Sequence, residues 1–167
     1  MRPLVLGTCW AAVLLLLAWT PTGLGAASTR ATEIAVITGN PPPRIAADRQ
    51  SLGNIFLKRL RVDEHGLPLV PLNLPPDSAL RRAFSSSLLG RSPRTLAQYW
   101  NERYFHGVSP PYVVRSEEAM VRFVAATPGA VGYVMACRVD DRVRVLARLP
   151  VPPAYLDTLA DDCPGPR

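Results

Sequence analysis

The 167-residue chain is poor in the residues on which most enzymes and metal proteins depend. It contains two histidines, three cysteines and a single lysine, Lys58. No Cys-x-x-Cys, His-Glu-x-x-His, Gly-x-Ser-x-Gly or P-loop sequence occurs, so thioredoxin-like, zinc-hydrolase, serine-hydrolase and nucleotide-binding chemistry have no support. His65 and His106 both lie in loops beside glycine, where exposed histidines are common. We therefore predict no catalytic site, no metal site and no cofactor.

Proline and glycine, by contrast, are abundant, with 18 and 11 copies, and 48% of the residues are hydrophobic. This apolar content is too high for a disordered chain, and the length suits one compact domain. Frequent proline and glycine predict short elements joined by tight connections. We expect one small mixed α/β domain.

The first 27 residues have the pattern of a secretory signal peptide. Arg2 provides a positive charge, the run VLLLLAW (13–19) is apolar, and small residues follow a break at 20–23. The apolar run is shorter than the roughly 20 residues of a membrane-spanning helix, so we expect cleavage after Ala27 rather than a retained anchor. The predicted parts are a leader (1–27), a folded domain (28–150) and a proline-rich tail (151–167), extended or disordered. The mature protein would be periplasmic or secreted and would not span a membrane.

Export bears on the cysteines, because compartments outside the cytoplasm permit disulfides. Loss of the leader would remove Cys9 and leave Cys137 and Cys163. These two could form a disulfide that holds the tail on the domain, or they could remain a partly buried thiol and a terminal thiol. The sequence leaves both alternatives open.

Basic residues outnumber acidic residues by 19 to 13, which gives a formal net charge of +6. All of them except Lys58 are arginines, and the guanidinium group suits bidentate contacts with carboxylates and phosphates. The arginines alternate with acids, as in DDRVRVLAR (140–148), so no nucleic-acid-binding stretch stands out. The charge fits either an anion-attracting surface or an ordinary solvated basic surface.

Apolar periodicity and helix-capping residues predict the order of the elements. Strands are expected at 33–38, 67–74, 130–134 and 143–149. Helices are expected to begin at Ser51, Ser78, Ser92 and Ser116, and the second of them to end before Gly90. Residues 105–114 are predicted to be a loop and 140–141 a turn. The predicted core comprises Ile34, Val36, Ile55, Phe56, Leu80, Phe84, Leu88, Leu96, Trp100, Met120, Phe123, Val131 and Tyr133.

Several phrases in the sequence resemble one known family. They are IFLKRL (55–60), LPLVPLNLPPDSALRRAF (67–84), Tyr99-Trp100 with Phe105 and Gly107, and above all TPGAVGYV (127–134). Over roughly residues 50–135 the chain resembles the type 2 periplasmic binding proteins of phosphate ABC transporters. The resemblance implies a single lobe of that fold, in which helices flank a small mixed sheet.

The resemblance also implies an anion site at the start of the helix in NLPPDSALRRAF (73–84). The family holds phosphate at a Ser-Gly-Thr turn that opens a helix, where backbone N–H groups and the helix dipole face the anion. The matching positions here are Ser78, Ala79 and Leu80, while Leu74 and Pro76 stand where the family has an arginine and an aspartate. Ser78 could equally act only as the cap of its helix. The implied ligand-binding residues are Asp77, Ser78, Ala79, Arg81 and Arg82.

Two functions follow from these observations. The resemblance implies an exported solute-binding protein for phosphate or another oxyanion, which works with a transporter. The alternative is a single-lobe interaction module that has kept the fold, lost the ligand and acts as a homodimer or in an envelope complex. Neither function requires an enzyme or a nucleic-acid partner.

Overall fold

The computed structural model describes residues 33–160 and 163. The predicted leader (1–27) and Cys9 lie outside the described residues. Among the residues that are described, no helix combines the length and the apolar character needed to cross a membrane.

The described strands are β1 (Glu33–Thr38), β2 (Val70–Asn73), β3 (Tyr112–Val113), β4 (Ala130–Met135) and β5 (Arg144–Pro150). They form one mixed sheet in the order β3-β2-β4-β1-β5. β2 is parallel to β3 and to β4, whereas β1 is antiparallel to β4 and to β5. The carboxyl ends of β2, β3 and β4 therefore lie along one edge of the sheet.

The described α-helices are α1 (Arg49–Phe56), α2 (Ala79–Phe84), α3 (Pro93–Tyr104), α4 (Glu117–Ala126) and α5 (Leu156–Ala160). α2 continues directly into a π-helical turn, Ser85–Leu89, and shorter 3₁₀ turns occupy Ala136–Arg138 and Pro153–Tyr155. One mixed sheet with helices packed on it is the α/β architecture that the sequence predicted, and the predicted fold class is confirmed.

β4 is buried along its whole length because α4 lies close against it. At Gly132 a Cβ atom would stand 2.5 Å from the Met120 sulfur, so any side chain there would force Met120 to move. Gly129, at the turn before β4, has a φ of +74°, and a Cβ there would meet the backbone oxygen of Pro68. The two glycines of the phrase PGAVGYV are thus required by backbone conformation and by close packing.

Helix starts agree with the sequence at three of four positions. Ser78, Ser92 and Ser116 cap α2, α3 and α4, as predicted. The prediction for α1 was wrong, because Asp48 is its cap: Asp48 Oδ1 accepts a hydrogen bond from the Ser51 N–H at 2.9 Å, and α1 begins before Ser51. Gly90 has a φ of 60° and ends the helical stretch, as expected.

Ten of the predicted core residues are buried, and three are not. Leu96 and Trp100 are only half-buried, because α3 packs loosely and contributes no fully buried side chain. Phe123 is 39% exposed, since α4 buries Met120, Val121 and Val124 and turns Phe123 away from the sheet. These three core predictions were wrong.

Residues 151–160 are not part of an extended or disordered tail, which the sequence indicated for 151–167. A 3₁₀ turn at Pro153–Tyr155 leads into α5, and Val151 and Leu159 are buried in the core. The proline-rich composition therefore gave the wrong structure for this segment, because prolines also suit tight turns and the first positions of helices.

Candidate functional site

A cleft opens at the edge of the sheet where β2, β3 and β4 end. Its volume is about 390 Å³, and it has three walls: the loop from β2 into α2, the loop from β3 into α4, and α5. We call it the strand-end cleft, and its lining residues are Leu74, Pro75, Asp77, Ser78, Ala79, Leu80, Arg115, Ser116, Glu117 and Leu159. Ligands of open α/β sheets bind beyond the carboxyl ends of parallel strands, so this cleft is the candidate binding site.

The first wall begins at Ser78, the N-cap of α2. Ser78 Oγ accepts a hydrogen bond from the backbone N–H of Arg81 at 3.3 Å. The backbone N–H groups of Ala79 and Leu80 precede the first intrahelical donor and have no backbone acceptor within the described chain. Two amide donors at the positive end of the helix dipole therefore lie at the cleft.

The second wall begins at Ser116, the N-cap of α4. Ser116 Oγ accepts a hydrogen bond from the Ala119 N–H at 3.1 Å. Glu117 Oε2 accepts one from the Met135 N–H at 2.6 Å, which ties the first turn of α4 to the end of β4. Arg115 is exposed, and no carboxylate of residues 33–160 forms an ion pair with it. Its guanidinium is therefore available to a ligand.

The C-terminal segment forms the third wall. Leu159 of α5 is buried and lines the cleft. A disulfide joins Cys163, beyond α5, to Cys137, which follows β4. At the start of the segment, Ser87 Oγ donates a hydrogen bond to the Pro150 carbonyl oxygen at 2.9 Å. The segment is thus held at both ends against the elements that build the cleft.

Tyr133 of β4 supports the first wall from inside the core. Its hydroxyl accepts a hydrogen bond from the Leu74 N–H at 3.2 Å and donates one to Asn73 Oδ1 at 3.1 Å. Its ring stacks on Phe84 with 3.7 Å between the ring centroids. Burial raises the pKa of Tyr133 above its usual value, so the hydroxyl stays protonated and remains a donor. Tyr133 therefore fixes the loop into α2 from the core side.

Arg81 and Arg82 do not line the strand-end cleft. Arg81 Nη1 donates a hydrogen bond to the Leu74 carbonyl oxygen, and Arg82 Nη1 donates one to the Asp77 carbonyl oxygen, each at 2.7 Å. Both side chains line a different cavity, shared with Trp100 of α3. These two hydrogen bonds therefore stabilise the loop that carries Ser78.

Of the residues that the sequence singled out, the structure brings Asp77, Ser78 and Ala79 together at the cleft. Sequence reasoning missed Arg115 and Leu159. The sequence did contain a signal for Arg115, because the next residue, Ser116, was predicted to cap a helix. A helix that begins after a parallel strand starts at the same edge of the sheet as the helix capped by Ser78. Because residues 105–114 were predicted to be a loop, β3 was missed, and so was the common position of the two helix starts.

The two histidines and the adjacent Asp140 and Asp141 lie elsewhere. His65 lines a second cavity with Arg44 and Asp63. His106 Nδ1 lies 2.8 Å from the Glu102 carbonyl oxygen at the exposed end of α3. Asp140 lies in the turn before β5, where it binds Arg142.

No protein-family model and no curated protein matches the chain. Solved structures do match it. An ABC-type phosphate transport receptor from Vibrio cholerae is 16% identical, with a TM-score of 0.56, and the match covers 82% of this chain and 70% of the receptor. A structure from Clostridium perfringens, described as a phosphate ABC transporter substrate-binding protein with bound phosphate, is 20% identical, with a TM-score of 0.53. That match covers 69% of this chain and 45% of the other. The chain therefore has the fold of the substrate-binding proteins of phosphate ABC transporters, which its sequence phrases resemble.

Proposed function

We propose that this chain is an exported solute-binding protein that holds a small oxyanion, with phosphate as the first candidate, in the strand-end cleft. The observation that carries the proposal is the meeting of two serine-capped helix starts, at Ser78 and Ser116, beyond the ends of parallel strands. Helix starts attract anions through free N–H groups and the helix dipole. The structures that share this fold are described as phosphate receptors, one of them with phosphate bound.

The cleft offers donors of three kinds to an oxyanion. They are the backbone N–H groups of Ala79 and Leu80, the hydroxyls of Ser78 and Ser116, and the guanidinium of Arg115. Phosphate is strongly hydrated, and each oxygen needs donors in place of water. Among the described residues, which form one sheet, no second lobe covers the cleft to complete that set, so we expect millimolar rather than tight binding.

The two carboxylates of the cleft, Asp77 and Glu117, select among oxyanions. Glu117 is held by the Met135 N–H, whereas Asp77 is exposed and next to Ser78. A carboxylate is an acceptor only, so it is tolerated beside an anion that donates a hydrogen bond to it. Hydrogen phosphate carries such a proton at neutral pH and sulfate does not. The proposed ligand is therefore a protonated oxyanion.

Two further features support an exported protein. The predicted leader (1–27) fits secretion, and the Cys137–Cys163 disulfide fits an oxidising compartment such as the periplasm. A transporter as partner follows from the same fold likeness. Export is tested by N-terminal sequencing of the secreted protein, which should begin after Ala27.

Thermal unfolding in phosphate, in sulfate and in chloride at matched ionic strength tests the oxyanion site. A ligand stabilises the folded state by RT ln(1 + [L]/Kd), so with a Kd of about 1 mM, 10 mM phosphate would add about 1.4 kcal/mol. Ser116→Ala and Arg115→Gln should remove most of this ligand-dependent gain. Ser92→Ala is the matched control, because it removes the cap of α3 away from the cleft.

The outcome is read from the gain on adding phosphate, not from the midpoint without ligand, since loss of any cap lowers stability by about 1 kcal/mol. A gain in phosphate no larger than in chloride would refute the site. A gain that survives in Ser116→Ala and Arg115→Gln would place the anion elsewhere on the protein.

A further inference from the structure

A basic and aromatic surface lies beside the edge strand β3, outside the strand-end cleft. Lys58 Nζ is 5.5 Å from the centroid of the Tyr112 ring. The guanidinium groups of Arg59 and Arg91 each lie 5.6 Å from the centroid of the Tyr99 ring. We call these five residues the cation–tyrosine face. Lys58 and Arg59 follow α1, Arg91 precedes α3, Tyr99 lies in α3 and Tyr112 lies in β3, so residues distant in sequence meet there.

Within the described residues, the cations of this face have no carboxylate partner. The ion pairs of the described chain join Glu33, Glu118 and Asp140 to arginines outside the face. Lys58, Arg59 and Arg91 contact tyrosine rings instead, and a ring leaves most of a cation's charge uncompensated. The surface therefore has strong positive potential without an internal counter-ion.

Lys58 is the residue of this face whose positive charge lies in the least favourable surroundings. It is the only lysine of the chain and the only described non-glycine residue with a positive φ, 51°. This conformation ends α1, because the N–H groups of Lys58 and Arg59 donate to the carbonyl oxygens of Ile55 and Asn54 as in a Schellman motif. Partial burial lowers the pKa of Lys58, and the charge of Arg61 lowers it further. A carboxylate from a partner would offset both the cost of burying this charge and the repulsion from Arg61.

β3 supplies the second part of the surface. It is the outermost strand of the sheet, and Tyr112 and Val113 are 66% and 53% exposed. Val113 pairs with Asn73, whose carbonyl oxygen accepts from the Val114 N–H, so the backbone N–H and carbonyl of Val113 point away from β2. Only another polypeptide satisfies such an edge with a matching ladder of hydrogen bonds.

We propose that the cation–tyrosine face and β3 form a docking site for an acidic, extended segment of a partner protein. The segment adds to the edge at Val113 and places its carboxylates on Lys58, Arg59 and Arg91. A second copy of this chain is not the partner, because a two-fold contact would set the same cations against each other in a protein of net charge +6. This site is independent of the proposed oxyanion cleft.

The probe is a fluorescein-labelled decapeptide of alternating glutamate and valine, with binding to the full protein followed by fluorescence anisotropy. The charge-reversal variant Lys58→Glu/Arg59→Glu should weaken binding at least tenfold. Arg91→Glu should weaken binding as well, and Arg144→Glu is its matched control, since it reverses one charge at an exposed arginine on the opposite edge strand, β5, and should leave binding within twofold. If the double variant unfolds, Arg91→Glu replaces it.

Strand addition is tested by a glutamate–proline decapeptide of equal charge, which cannot donate ladder hydrogen bonds and should bind at least fivefold more weakly. Equal binding of the two peptides, equal losses in Arg144→Glu, or no binding would overturn the proposal. So would equal competition by single-stranded DNA or by phosphatidylglycerol vesicles, because the face would then be a general polyanion site.

Discussion

Among single residues, the Tyr133 hydroxyl couples the core to the cleft. In Tyr133→Phe the buried Leu74 N–H loses its acceptor, and an unsatisfied buried donor costs about 1–3 kcal/mol. We expect a loss of that size in the free energy of unfolding measured with urea. Tyr104→Phe is the control, because Tyr104 is 68% exposed and should change stability little. An equal loss in both variants would contradict the role of the hydroxyl bond.

Asp77 carries the prediction about anion choice, which rests on the proposed function. Replacing the carboxylate by an amide adds a donor and removes a negative charge beside Ser78. In Asp77→Asn we expect the preference for phosphate over sulfate to fall about tenfold, equivalent to about 1.4 kcal/mol. Isothermal titration with each anion measures the ratio, and Asp141→Asn, in an exposed turn, should leave it unchanged.

Two phenylalanines that the sequence treats alike should behave differently. Phe84 is buried and stacks on Tyr133, so Phe84→Ala should cost about 3–5 kcal/mol. Phe123 is partly exposed on the outer side of α4, so Phe123→Ala should cost far less. Urea unfolding of both variants decides the matter. Comparable losses would mean that α4 packs in a different rotation about its axis.

At the scale of elements, an arginine cluster ties α4 to the turn before β5. Arg142 binds the carboxylates of Asp140 and Glu118, and these hydrogen bonds hold the pKa of each acid below its usual value, 3.8 for Asp140 and 4.5 for Glu118. A lowered pKa in the folded state gives stability that is present above the usual values. That stability is lost as pH falls through the folded-state values.

Arg142→Gln should therefore lower the unfolding midpoint at pH 7, and its effect should fade as acid protonates Glu118 and Asp140. The difference between wild type and variant should shrink as the pH drops below about 4.5. Thermal scans across this range measure it, and Arg144→Gln, at an arginine without an ion pair in the described chain, is the control. A difference that stays constant with pH would exclude the ion-pair explanation.

Elements with a local cause were predictable from sequence. The serine caps of α2, α3 and α4 depend on residues three positions apart, and the buried strands β1 and β4 are continuous apolar runs. β3 was not predictable, because two residues become a strand only through pairing with β2. The C-terminal helix α5 was missed for a related reason, since Leu159 and the disulfide fix a five-residue helix that would be unstable alone.

The sequence predicted one part of the candidate binding site and missed the parts that depend on long-range contacts. Ser78 lies in a phrase that resembles the phosphate receptors, so the sequence located the first wall of the cleft. Arg115 and Leu159 belong to the other two walls. They come from distant parts of the chain and reach the cleft only when the sheet has formed. The position of α3 was likewise beyond reach, because an amphipathic pattern does not report how loosely a helix packs.

For the molecule as a whole, the Cys137–Cys163 disulfide should matter to both stability and the cleft. It closes a loop with a sequence separation of 26, for which chain entropy predicts about 3–4 kcal/mol of stabilisation. In Cys163→Ser we expect that loss, together with faster hydrogen exchange of the amides at residues 74–80 as α5 leaves the cleft. Reductant should reproduce both effects in the wild type and add nothing to the variant.

The position of β1 in the sheet restricts the order in which the protein can fold. β1 lies near the middle of the sheet, yet its neighbours come late: Thr38 Oγ donates a hydrogen bond to the Ala130 carbonyl oxygen, 92 residues further on. A chain that emerges with its N-terminus first has nothing on which to dock this strand until most of the sequence has followed. Such long-range pairing slows folding, because the loop must close before any contact rewards it. Because β1 pairs only with β4 and β5 in the described sheet, the sheet cannot be completed until most of the chain has been synthesised.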